Sequence, residues 1–225
     1  MPGTSISSEF LIVCEGDGDE AFFRYMCDQR NIPGFQIEKS GGGNSGFYRY
    51  LSGLPARTGA HKLKGVLLVS DNDESPDDSF KFIRDQIKKA KLPAPDNPMD
   101  IAEWTTIDVA VAVMMIPYVG GLRQKGCLET MLLTAVQQQH AGISACVEAY
   151  ADCTGANAWA NSGKIDKMRL RCILSAAWAD DPNLGLQYAL EPQKNLIPLR
   201  HSCFDEIEDF VRKFPAAALA ALGNR

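Results

Sequence analysis

No stretch of this chain approaches the roughly eighteen uninterrupted apolar residues of a membrane-spanning helix. Its first apolar run, Phe10 to Val13, is short, lacks a basic leader and leads straight into acids, which predicts a soluble, cytoplasmic protein that is not exported. Histidine is scarce: His61, His140 and His201 are scattered, with no H-x-x-x-H or mixed Cys/His spacing, which argues against zinc. The seven cysteines include no C-x-x-C pair and make an odd count, and most lie among apolar residues of predicted elements. They read as reduced, buried thiols rather than a disulfide framework. An excess of basic charge is also missing, and a formal net charge of -5 does not announce a nucleic-acid binder. Repeats and low-complexity tracts are absent.

What is present is an ordinary globular composition, 45% hydrophobic and 23% charged, over 225 residues. That length predicts a single domain over 1–225, with a core over about 9–140 and a helical extension over about 141–225. The acids are unevenly spread. Glu15, Asp17, Asp19 and Glu20 share one short loop, and Asp71, Asp73, Glu74, Asp77 and Asp78 share another. Basic runs lie elsewhere, at Lys62/Lys64, Lys88/Lys89/Lys91 and Lys164/Lys167/Arg169/Arg171, and read as solvated faces.

Periodicity gives an alternation of strands and helices. A strand over about Glu9 to Cys14 precedes a helix with Phe22/Met26 and Phe23/Cys27 on one face. "FQIEKS" predicts a short strand, "GGGNSG" a break, and Phe47 to Leu54 a helix. "KGVLLVS" carries a continuous apolar run and "VAVAVMMI" is apolar throughout, as in strands covered on both faces. Ser75, Pro76 and Asp78 give an N-cap, an N1 proline and a capping box for the helix that follows. Leu128, Met131, Leu132, Ala135 and Val136 form a helical stripe, and Ile165, Met168, Cys172 and Ala176 another. Ser202 to Asp205 predicts the cap of a last helix. The fold expected is α/β: a parallel, Rossmannoid sheet with helices on both faces and a helical C-terminal part.

Ligands of such sheets bind at the carboxyl ends of the strands, where both acidic clusters fall. Asp17 with Glu20 matches a capping box, and Asp77 and Asp78 complement a helix N-terminus, so these four have structural explanations. Capping explains Glu15, Asp71 and Asp73 poorly, since they precede the helices. Because side chains alternate along an extended segment, Asp71 and Asp73 are expected to project to the same side. Clustered carboxylates repel, and a hard divalent cation resolves that conflict.

The ordered combination "VCEGDGDE", "LLVSDND" and "GCLETMLL" resembles the Toprim domain, in the short form related to the OLD-family nucleases and to small Toprim-like proteins of poorly defined role. The resemblance covers about residues 9 to 190. It implies that Glu15 is the strand-end glutamate, Asp19 the added acid of the OLD-type branch, and Asp71 with Asp73 the D-x-D pair. Gly126, Leu128 and Glu129 match its G-x-L-E motif, and Lys167 its downstream lysine, with Lys164 as a near competitor. The implied chemistry is two-metal phosphoryl transfer, with Mg2+ or Mn2+ held by Glu15, Asp19, Asp71, Asp73 and Glu129, and with Glu15 and Lys167 catalytic. The implied substrate is DNA or RNA, in a setting of phage defence or repair. No ATPase segment accompanies the motifs, which leaves an ATPase partner in trans open, as it does a homodimer.

Alternatives stand beside these assignments. Glu129 could serve the helix dipole, and Lys167 could belong to a solvated face. "SGGGNSG" reads as a flexible turn rather than a phosphate nest, lacking the Walker lysine. Trp104, Trp159 and Trp178 read as packing residues. A non-catalytic Toprim-like module that binds nucleic acid or a partner protein is one other function. A haloacid-dehalogenase-like phosphatase is another, because "LLVSDNDES" offers a D-x-D after an apolar strand, although it leaves Glu15 and Glu129 unexplained.

Overall fold

The computed structural model describes residues 5–104, 108–119 and 121–223. Five strands form one sheet in the order β2-β1-β3-β5-β4: β1 Phe10–Cys14, β2 Phe35–Lys39, β3 Gly65–Asp71, β4 Ile101–Trp104 and β5 Val109–Ile116. The first four positions pair in parallel, and β4 closes the edge antiparallel to β5. This is a Rossmann-like α/β sheet, mostly but not wholly parallel.

The unbroken apolar runs have a simple cause. In β1, β3 and β5 alternate residues enter opposite layers. Ile12, Cys14, Leu67, Val69, Ala112 and Met114 face a core built with helices α1 (Asp17–Gln29), α4 (Leu128–Gln139), α6 (Ser162–Ala177) and α8 (Asp205–Gly223). Leu11, Val13, Val66, Leu68, Val111 and Val113 face the other core, with α2 (Phe47–Gly53) and α3 (Pro76–Lys89). Each fully buried aliphatic side chain contributes roughly 1.5–3 kcal/mol relative to exposure. Helices α5 (Ala141–Thr154) and α7 (Leu186–Ala189) complete the C-terminal layer, and β6 (Tyr118–Val119) pairs with β7 (Leu122–Arg123) in a short hairpin. Among the described residues no helix is long and apolar enough to cross a membrane.

Several local expectations are met: Ser75 Oγ accepts from the Asp78 N–H at 3.4 Å, and the Phe22, Phe23, Met26 and Cys27 face is buried. Others are corrected. The antiparallel edge β4 and the β6–β7 hairpin are additions, too short to stand out by periodicity. The buried face of α6 is Leu170, Ile173 and Leu174, whereas Ala176 is exposed, because the contact with α4 fixes the helix rotation. Ser202 lies inside a 3-10 turn, and His201 caps it by accepting from the Cys203 N–H at 3.1 Å. Cys14, Cys27 and Cys127 are buried, but Cys146 and Cys153 are exposed. Trp159 is exposed, Trp178 packs against the core beside Lys194, and the Trp104 side chain lies outside the described residues.

Candidate functional site

Strand β1 lies between β2 and β3, so the chain leaves it toward one side through α1 and returns to the other through α2. That reversal opens a crevice at the carboxyl ends of β1 and β3. Register then dictates the neighbours. Cys14 pairs with Val69, which sets Glu15 beside Ser70, and Ser70 Oγ donates to Glu15 Oε2 at 2.8 Å. Asp71 ends β3 one residue further on. The G-D-G turn after β1 starts α1, and Asp19, its third residue, reaches back so that Oδ2 accepts from the Gly16 N–H at 3.0 Å. Asp19 therefore carries the capping task expected of Asp17 and Glu20. Those two pair with Lys39 and Arg24 instead.

Helix α4 enters the same crevice end-on. Its first N–H, that of Leu128, donates to Asp71 Oδ1 at 3.0 Å. Gly126, just before it, has φ +126°, and a Cβ there would meet Thr130 Oγ1 at 2.3 Å. Only glycine fits that approach. Glu129 follows on the first turn, with Oε2 3.8 Å from Lys167 Nζ on α6.

The resulting cavity, about 610 Å3, is lined by Glu15, Asp17, Asp19, Asp71, Glu129, Lys39 and Lys167, by Gly16, Gly18 and Gly41–Gly43, and by Leu128 and Leu186. Four of the five acids expected to ligate metal therefore meet, with the expected lysine beside them. Lys164 lies outside the lining. Asp73 is the exception. β3 ends at Asp71, Asn72 turns inward to donate to the Pro117 carbonyl at 2.8 Å, and Asp73 sits exposed with φ +50°. Strand alternation does not extend to it, and it is not among the residues lining the cavity. It faces the electrostatic field of Lys167 from outside the lining.

The acids repel. Burial pushes the Asp19 carboxyl up to about 7, and Glu15 and Glu129 push it the same way against the Gly16 hydrogen bond. Burial, then Asp19, Glu15 and Glu129, holds Asp71 well above the usual carboxylate range, with Lys167 opposing. On Lys167 burial disfavours the charge, but Glu129, Cys127, Asp71 and Asp19 outweigh it and raise the pKa. Among the described residues no group of three His, Cys, Asp or Glu side chains is already arranged to hold a metal ion.

Supporting residues were not legible in the motifs. Thr130 Oγ1 donates to Asp166 Oδ2 at 2.7 Å and accepts from the Cys127 N–H at 3.2 Å, tying α4 to the residue next to Lys167. Glu74 Oε1 accepts from the Ser162 N–H at 2.8 Å, tying the loop after β3 to the start of α6. The glycine segment read as a flexible turn forms a cavity wall: Gly41 and Gly43 have φ +78° and +58°, and a Cβ on Gly43 would lie 4.0 Å from Glu15 Oε1.

A family model described as protein of unknown function (DUF3226) matches residues 9–215, and the chain belongs to that family. No curated protein and no solved structure matches it.

Proposed function

For this member of the DUF3226 family we propose Toprim-type, metal-dependent cleavage of nucleic-acid phosphodiesters. The observation that carries the reading is the meeting of Glu15, Asp19, Asp71 and Glu129 with Lys167 in one cavity at the switch point of the sheet. Carboxyls that resist ionisation because of burial first, and of one another second, are a site short of positive charge. The donors are oxygens alone, a set that suits Mg2+ or Mn2+ rather than zinc or copper. On that chemistry the residues fit, and Glu15, Asp19, Asp71 and Glu129 would hold the cations. Bound divalent cations supply Lewis acidity toward a phosphoryl oxygen and lower the pKa of water.

The chain's own groups have distinct tasks. Lys167, with its charge favoured by the surrounding acids, neutralises negative charge growing on the phosphoryl oxygens. Glu15 Oε2 is fixed by Ser70, which leaves Oε1 to accept a proton from the attacking water. Gly41–Gly43 carry no side chains into the cavity, so a phosphate backbone can approach that wall closely. Leu128 and Leu186 supply the apolar part of the lining.

One observation favours a second reading, a non-catalytic module that binds nucleic acid or a partner: Asp19 and Asp71 each spend an oxygen on a backbone N–H, which is a structural role. The phosphatase reading loses support, since it needs Asp73 beside Asp71. Titration calorimetry with Mn2+, run alongside hydrolysis of plasmid DNA, single-stranded DNA and structured RNA, separates the first two. Cleavage that disappears in a folded Glu15→Gln protein supports the nuclease; Mn2+ binding without cleavage of any of these polymers supports the module.

A further inference from the structure

The carboxylate cavity does not end at Glu129. A second recess of about 320 Å3 shares Glu129 and Leu186 with it and continues along α6, between Leu170, Leu174 and the 182–184 turn. That turn is held in place, because Ser175 Oγ donates to the Pro182 carbonyl at 2.5 Å and the Asn183 N–H donates to Asp181 Oδ1 at 3.0 Å. Arg171 lines this recess and is exposed. It stands one helical turn beyond Lys167, on the same side of α6 and about 6 Å further along the axis. Its neighbours are committed elsewhere: Arg169 pairs with Glu148 at 2.8 Å, and Lys167 faces Glu129. No ion pair among the described residues uses Arg171.

We propose that this recess is a nucleotide subsite of the same groove, so that the substrate is a single-stranded polymer. Arg171 binds the phosphate next to the one at Lys167, and the recess between α6 and the 182–184 turn receives the sugar and base. The inference rests on the phosphodiesterase reading of the cavity. A guanidinium one turn from the catalytic lysine matches one nucleotide step, and it has no task on a substrate with a single phosphate. Leu184 and Leu186 give the recess an apolar wall, and Ser175 and Asn183 line it beside them. A base enters such a concavity only when unstacked, which selects single strands.

The test compares wild type, Arg171→Ala, Arg171→Lys and Arg171→Glu on a long single-stranded oligonucleotide and on a dinucleoside monophosphate, which has no flanking phosphate, with Mn2+ present. Arg171→Ala is expected to raise KM for the oligonucleotide about tenfold with a smaller change in kcat, and to reduce the salt slope by roughly 0.7, one phosphate contact on a single strand. Arg171→Lys recovers most of the loss, and Arg171→Glu deepens it. Equal KM changes on both substrates, or none, overturn the subsite while leaving the phosphodiesterase intact. If wild type hydrolyses neither substrate, that reading fails. Fluorescence anisotropy of the labelled oligonucleotide in EDTA then decides the subsite alone: Arg171-dependent binding upholds it, and absent or Arg171-independent binding overturns it.

Discussion

The backbone N–H of Leu128 donates to Asp71 Oδ1 at 3.0 Å across 57 residues of chain, so the end of a central strand caps the helix that brings in Glu129. The same carboxyl is asked to do two things. It satisfies an N–H at a buried helix start, and it stands among acids that disfavour its charge.

Replacements at Asp71 separate those tasks. Asp71→Asn keeps an oxygen for Leu128 and removes the charge, so its melting temperature without metal should equal or exceed that of wild type. Asp71→Ala loses the cap and should cost roughly 1 kcal/mol. Both should lose most of the melting-temperature increase produced by Mn2+. Scanning fluorimetry with and without Mn2+ checks this, and an Asn variant as unstable as the Ala variant would contradict it.

The pH dependence follows from Asp19. Its carboxyl ordinarily ionises near 3.8 and is pushed up to about 7 in the fold, so the folded chain binds the extra proton between those values. A raised folded pKa gives stability that is complete below about 4 and is lost as pH rises through about 7. Metal-free protein should therefore melt at a higher temperature at pH 5 than at pH 8 with respect to this group. Cations compete with the proton, so stabilisation by Mn2+ should be greater at pH 8 than at pH 6. Paired melts at pH 5, 6 and 8 with EDTA or Mn2+ test the sign.

Lysine placement gives a contrast in rate. Lys167 lines the cavity and Lys164 does not. Lys167→Ala should lower kcat on an oligonucleotide by about a hundredfold or more, whereas Lys164→Ala should stay within about threefold of wild type. Comparable losses from the two variants would assign the site lysine wrongly.

Thr130 should act at one remove from the chemistry. Thr130→Val breaks the bond to Asp166 and the link to the Cys127 N–H, with an expected cost of about 1–2 kcal/mol. It should lower kcat more than KM, because the α4–α6 tie sits next to Lys167. Thr130→Ser retains the hydroxyl and should restore both; failure of that rescue in steady-state kinetics would remove the positioning role.

Local chemistry made much of this protein readable in advance. The runs Phe10–Val13, Val66–Val69 and Val109–Ile116 are apolar at every position, because strands covered on both faces must satisfy two cores, and they announced the central sheet. The cap at Ser75 and the stripe Leu128–Val136 were legible for the same reason: each is a contact within one helical turn or one helix face. The short pieces β4 and β6–β7 carry too few residues to establish a period.

The sequence by itself determined that Glu15, Asp19, Asp71 and Glu129 stand at strand ends and helix starts, since those positions depend on hydrogen bonding and apolar spacing over a few residues. Only the tertiary structure decided which of them face one another. Strand order and register brought Ser70 against Glu15, the packing of α4 and α6 chose Lys167 over Lys164, and a left-handed residue after β3 turned Asp73 out of the cavity. The physical reason is range: convergence of groups tens of residues apart is set by how whole elements pack, and no local spacing encodes that.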